Sequence, residues 1–473
     1  MMKKNTFLTH LNTLSLAEVK KFGRHLKANS ADSKLLLKAY DYYVKFHKKT
    51  KPSYEPEEVF QKIFSRKLTS KADLRNLNNF PTDLLAKLKE YLIQKKVMET
   101  KFEKDFLWLQ VLEERGLSHQ RALQFKKVKK EQNKAKDIWS SLNQLKLYNH
   151  EYFRNNFEKE DTKTPLIEDG IQSLNDFYIS FHLKYAFESL NRKNILTTKP
   201  SSNPLLNAVI SLIEKKQINT SPTNELYFEL YQFSQERTYP KFIKLRTFLF
   251  DNVESLAQEE KLITLLSMIN YIAGELKTGR HELAIDIFEL YKFGIENDKI
   301  LIHNGILDSV NFRSIVNIAC NLKQFDWVEN FIADYQIYLE PKVRLENVAI
   351  ANSMLFFEQG KFEEVIENVE KYKFSEVNST IISRIYELKS KYELSKYENL
   401  DSETESFIRF VKRSKNQGDA NKLAASQFGR ILIHLFQRKL SKDKLMHEIQ
   451  TTALLYSRGW LVEKQKGYQP FSN

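Results

Sequence analysis

The chain has 473 residues, 42% of them hydrophobic, with 12 Gly, 10 Pro, a single Cys and a formal charge of +14. One cysteine excludes an internal disulfide framework, and no run reaches the roughly eighteen apolar residues of a membrane helix. The scarcity of Gly and Pro, with no period-two alternation to speak of, excludes a strand-rich fold and makes the class all-α.

From the N-terminus, Lys3 and Lys4 precede an apolar run broken by His10 and Asn12, which does not read as a secretory signal. Ser15-Leu16-Ala17-Glu18 is a capping box that opens an apolar face at Leu16, Val19, Phe22 and Leu26, with the helix ending near Lys27. A second helix is expected over 33–48, with Leu36, Tyr40, Tyr43 and Phe46 inward, and a short third after Pro56. From Pro81 to Arg115 the spacing of Leu85, Leu88, Leu92, Phe102, Phe106 and Leu109 predicts one long helix or two stacked ones, stopped by Gly116. Residues 1–115 therefore read as a basic helical bundle.

Residues 116–260 read as an irregular helical region, because five of the ten prolines (Pro165, Pro200, Pro204, Pro222 and Pro240) fall there. It opens on the densest cationic stretch, Arg121, Lys126, Lys127, Lys129, Lys130 and Lys134. On a helix these charges cover more than one side, so the segment is expected to protrude into solvent as a candidate contact for an anionic partner. Charge as a whole is uneven: residues 1–150 hold 32 Lys+Arg against 16 Asp+Glu, 151–400 hold 29 against 37, and 401–473 hold 13 against 7. A basic N-terminal segment and an acidic body suit an anionic partner, or each other. A second basic cluster, Arg409, Lys412, Arg413, Lys415 and Lys422, surrounds Gly418 and reads as a charged loop.

Residues 261–473 carry an internal repeat. Arg280-His281-Glu282-Leu283-Ala284, Gln324-Phe325-Asp326-Trp327-Val328, Lys361-Phe362-Glu363-Glu364-Val365 and Lys396-Tyr397-Glu398-Asn399-Leu400 share one pattern, with ring residues 44, 37 and 35 positions apart. That period belongs to stacked helical hairpins. Counting from the ring, an acid follows at once, where it complements the helix dipole. Apolar residues follow at plus three (Ala284, Val328, Val365, Leu400), and Phe288, Ile332, Val369 and Thr404 stand at plus seven. Aromatics occupy plus ten: Tyr291, Tyr335, Tyr372 and Phe407. Upstream, minus nine and minus five hold Ile272 and Leu276, Val316 and Cys320, Ser353 and Phe357, Leu388 and Tyr392, which gives a first helix its own buried face.

This pattern, over about residues 262–415, resembles the tetratricopeptide-like repeat, although plus ten is aromatic where that repeat is usually small and only Pro341 stands where a closing proline would. The resemblance implies a curved right-handed α-solenoid with a C-terminal cap, whose concave face is lined by first-helix residues such as Asn270, Glu275, Asn317, Asn352 and Glu387. The order of bundle, irregular middle and repeat, with Trp460-Leu461-Val462-Glu463-Lys464 near the end, also resembles a group of large uncharacterised bacterial helical proteins, which implies no activity. Enzyme signatures are missing: the ten histidines form no i, i+4 pair, and no phosphate-cradling loop, G-x-G-x-x-G or G-x-S-x-G elbow occurs. The expectation is a cytoplasmic, noncatalytic scaffold with no metal or cofactor that binds a protein or peptide and no membrane. An RNA- or DNA-associated factor docking through the basic N-terminal region is the alternative.

Overall fold

The structure, a computed structural model, describes residues 5–29, 33–48, 55–134, 137–153, 165–196, 204–218, 220–414 and 418–469. It is all-α, with 23 α-helices and one two-stranded hairpin among the described residues. The chain divides into two compact units, one of residues 1–135 and 139–177, the other of 136–138 and 178–473.

The first unit contains α1 (Thr6–Leu11), α2 (Leu16–Asn29), α3 (Lys34–Tyr43), α4 (Pro56–Phe64), α5 (Lys71–Glu99), α6 (Lys101–Glu114), α7 (Ser118–Gln132) and α8 (Ile138–Phe153). The capping box is formed: Ser15 N donates to Glu18 Oε2 (2.9 Å) and Glu18 N to Ser15 Oγ (3.2 Å). Val19, Phe22 and Leu26 are buried as the spacing requires, but Leu16, in the first turn, is exposed. They join Phe7, Tyr40, Tyr43, Phe60 and Leu88 in one core of α1 to α5. Pro81 does not begin a helix, because α5 is already helical from Lys71 and carries Pro81 inside it. The true start is Ser70, whose Oγ accepts from Asp73 N (3.1 Å), while Arg66 holds the Asp73 carboxylate at 2.6 and 3.0 Å. The ~3 kcal/mol that an interior proline costs is offset by the helical stretch ahead of it, which carries the Ser70 cap, the Arg66–Asp73 pair and the buried Leu77. Gly116, at φ +67°, ends α6 as expected. The helix α9 (Leu166–Leu196) follows.

The second unit contains α10 (Pro204–Glu214), α11 (Pro222–Gln235), α12 (Tyr239–Asp251), α13 (Gln258–Lys277), α14 (Ala284–Glu296), α15 (Ser309–Asn321), α16 (Phe325–Tyr335), α17 (Arg344–Glu358) and α18 (Phe362–Lys371). After them come α19 (Val377–Glu393), α20 (Leu400–Arg413), α21 (Asp419–Gln437), α22 (Lys442–Thr451) and α23 (Arg458–Lys466). Four successive pairs, α13/α14, α15/α16, α17/α18 and α19/α20, pack as helical hairpins, and α17 lies against both α15 and α19. The pairing also extends upstream to α11/α12 and downstream to α20/α21. Between α14 and α15, β1 (Ile302–His303) and β2 (Ile306–Leu307) flank Asn304 and Gly305, both with positive φ, in a short antiparallel hairpin.

Each of the four hairpins turns in the same way. The residue two before the ring position is left-handed in all four copies: Gly279 (φ +100°), Lys323 (+58°), Gly360 (+77°) and Ser395 (+56°). The next amide reaches back to the carbonyl five residues earlier, Arg280 N to Glu275 O (3.2 Å), Gln324 N to Ala319 O (3.0 Å), Lys361 N to Phe356 O (2.8 Å) and Lys396 N to Lys391 O (2.9 Å). This wrapped cap satisfies orphan carbonyls of the first helix and delivers the chain antiparallel within three residues. The same cap closes α6 and α10, where Leu117 N meets Leu112 O and Gln217 N meets Leu212 O, and after α6 it too leads at once into a packed helix, α7 at Ser118, so the turn is not peculiar to the four hairpins.

The expected core positions are filled. Val328, Val365, Leu400, Ile272, Val316, Cys320, Ser353 and Leu388 are buried, while Phe325, Phe362, Tyr335 and Tyr372 are half-buried. His281 and Tyr397, the other two ring residues, are exposed, because at the helix start the ring lies at the hairpin edge. Burial drives the Cys320 thiol up to about 12, so native Cys320 is expected to resist a thiol reagent such as 5,5′-dithiobis(2-nitrobenzoate) and to react fully in denaturant. At the turns, Ser395→Gly is expected to raise stability and Gly360→Ala to lower it, each by about 1 kcal/mol, since only glycine adopts this backbone freely. Thermal melts of the two variants with opposite signs bear this out; equal signs contradict it.

Candidate functional site

In the first unit, α7 packs against α6 and α8 through a stripe that hydropathy does not reveal: Arg121, Gln124, Val128 and Gln132 are its buried residues. Arg121 is therefore no surface contact. Its two guanidinium nitrogens sit 2.6 and 2.9 Å from the Glu151 carboxylate, an ion pair that holds the arginine above its ordinary range. Gln124 donates to the Asp105 carbonyl at 3.1 Å. Lys129 pairs with Asp169 at 2.8 Å and lies over the Tyr148 ring, and Lys127 approaches Asp105 at 3.6 Å. The helix thus lies packed, where its charge pattern suggests a protruding segment, because carboxylates on neighbouring elements neutralise the inward cations. Lys126, Lys130 and Lys134 remain exposed, four residues apart on one line, with no ion pair among the described residues. Of the later basic cluster, Lys415 lies outside the described residues, Arg409 pairs with Glu405 at 3.2 Å, and Lys412 and Arg413 are exposed in the last turn of α20.

The second unit holds a cavity of about 970 Å³ walled by α13, α15, α17, α19 and the segment around Tyr456 to Trp460. Of the five concave-face candidates only Asn317 lines it. Asn270 is exposed, Asn352 is half-buried, Glu275 is taken up by Arg280 at 2.8 Å, and Glu387 by Lys391 at 2.8 Å.

Two cations absent from the sequence expectation stand in this wall. Lys389 on α19 is 4% exposed, and its Nζ lies 3.8, 4.5 and 5.6 Å from the ring centroids of Phe357, Tyr386 and Trp460. Arg313 on α15 is buried, with its guanidinium donating to the neutral Asn347 Oδ1. Neither has a carboxylate within ion-pair distance among the described residues. The acids nearby are already engaged: Glu358 by Lys323 at 2.9 Å, and Glu393 by Lys464 at 2.7 Å and by the Trp460 indole N–H at 2.6 Å. Burial accordingly lowers both cations, Lys389 to about 8, with Glu358, Glu393 and Glu463 opposing the drop. The ring faces stabilise the ammonium in place of water. A lysine on a helix reads as surface in the sequence, and the only signal for its burial is its place one residue after the core position Leu388.

Another buried acid, Glu260 on α13, has both carboxylate oxygens without a hydrogen-bond partner and is raised above its usual range, chiefly by burial. It lines no cavity described here. Among the described residues no cluster of His, Cys, Asp and Glu could hold a metal ion, and no helix is long and apolar enough to cross a membrane.

Comparison with protein-family models, with curated proteins and with solved structures finds no match to this chain.

Lys389 yields a signed prediction. The lysine is charged in the unfolded chain up to pH 10.5 but in the folded chain only below about 8, so it opposes folding at pH 7 and ceases to do so as pH rises from 8 to 10.5. Lys389→Met is expected to stabilise the protein at pH 7 by about 1–2 kcal/mol, with the gain shrinking toward pH 10. Denaturant titrations at the two pH values measure it, and a loss of stability at pH 7 contradicts it.

Proposed function

We propose that the chain is a noncatalytic scaffold of tetratricopeptide-like type, which holds a protein or peptide partner along the first helices of its hairpins. The observation that supports this reading is the fourfold use of one wrapped turn, which sets α13, α15, α17 and α19 as first helices of successive pairs, with a large cavity on the face they share. Stacked hairpins of this kind present a continuous surface and bring no chemistry of their own. A single buried thiol suits a reducing compartment, which favours the cytoplasm.

A photo-crosslinking residue in place of Asn317 tests the reading in the native cell. A partner protein captured at position 317 and missed at a control position on α22, such as His447, is the expected result. A partner captured only at the control site, or none at all by folded protein, overturns it.

The exposed row Lys126, Lys130 and Lys134 favours a second reading, attachment to nucleic acid. Three phosphate contacts would give a logarithmic salt slope of about −2 to −3 on a duplex, without sequence preference. Retention on duplex at low salt, lost when these three lysines become glutamine, is its signature; retention that survives the substitutions removes these residues from the account.

A further inference from the structure

The cavity of the second unit has a chemistry that a peptide-holding groove does not require. Taking a charge out of water without a counter-ion is among the most expensive things a fold can do, and chains ordinarily neutralise or pair such groups. Here two cations, Arg313 and Lys389, come from different helices, α15 and α19, to the wall of one cavity, and neither meets a carboxylate. The one acid of that wall, Glu358, is already neutralised by Lys323. The wall therefore carries two cations that no carboxylate contacts directly, with Glu358, Glu393 and Glu463 acting on Lys389, and Glu376 and Asp308 on Arg313, only from beyond ion-pair distance.

Apolar side chains, among them Met354, Ile382, Ile385 and Trp460, make up much of the remaining wall, interrupted by the amides of Asn317, Asn321, Asn378 and Asn421. Asn378 on the same wall has a buried Oδ1 with no hydrogen-bond partner. At about 970 Å³ the space matches a small-molecule site, and mostly apolar walls with a few convergent polar groups are the common composition of such sites.

We propose that this cavity is a binding site for a small organic anion, its carboxylate or phosphate matched by Arg313 and Lys389 and its apolar body laid against Met354, Ile382, Ile385 and Trp460. The proposal is independent of whether the hairpin face also holds a protein. An anion arriving here supplies the direct counter-charge that both cations lack, so its attraction is strongest where the protein is least well neutralised. A neutral molecule of the same shape gains only the apolar part.

Three probes of one shape test it on the intact chain: phenylacetate, phenyl phosphate and the neutral phenylacetamide, each followed by thermal melting and titration calorimetry. At 10 mM, at least one of the two anions is expected to raise the melting temperature by at least ~2 °C and to release or absorb heat saturably, while phenylacetamide does neither. The stronger anion identifies the preferred head group. In Lys389→Met, whose folding is read from the same melt, the response to the anions disappears, and in Lys342→Met, an exposed lysine of the same unit away from the cavity, it persists. Response to neither anion, an equal response to phenylacetamide, or an unchanged response in Lys389→Met overturns the proposal and leaves the cavity as a hydrated gap between helices.

Discussion

One local constraint organises the second unit: a first helix must end with its last carbonyls satisfied and its chain already reversed. A single left-handed residue and one amide reaching back five positions achieve both. Once that geometry recurs at Gly279, Lys323, Gly360 and Ser395, the faces of the paired helices are determined. Residues at plus three of the second helix and at minus nine of the first are brought inward, and they are filled by Val, Ile, Leu, Ser and Ala. The hydrophobic contribution then accumulates along the chain, because each pair buries its face on the next.

The turn also explains why two copies are glycine and two are not. The left-handed conformation costs a side-chain-bearing residue about 1 kcal/mol, a strain the packed hairpin tolerates when neighbouring contacts compensate. Lys323 recovers part of it through Glu358 at 2.9 Å and the Phe325 ring at 5.7 Å. Ser395 makes no comparable contact among the described residues.

Much of this was legible in the sequence, and the part that was not has a common cause. Periodicity reads apolar residues, so the faces around Val328, Val365, Val316 and Leu388, the Ser15–Glu18 capping box and the stop at Gly116 could all be placed. Polar burial is invisible to it. The start of α5 depends on Ser70, Asp73 and Arg66, and outweighs the apparent signal of Pro81. The inward stripe of α7 is built of Arg121, Gln124 and Gln132, whose partners Glu151 and Asp105 lie far away in sequence. The cavity is the extreme case. Asn317 was within reach as a first-helix residue outside the core pattern, whereas Lys389 and Arg313 are recognisable only once α15, α17, α19 and Trp460 are assembled around them. The pairing of α11 with α12 escaped for a different reason: proline-rich flanks resemble loops, yet Pro222 and Pro240 occupy first-turn positions that need no N–H donor.

The central claim is that four equivalent wrapped caps hold the hairpins closed, and native-state amide hydrogen exchange examines those caps directly. The amides of Arg280, Gln324, Lys361 and Lys396 should exchange at least ~100-fold more slowly than in an unstructured chain, with protection approaching that of the helix interiors they join. Exchange of these four at unstructured rates, while α15, α17 and α19 stay protected, would contradict the account by showing that the helices form without the turns that are said to place them.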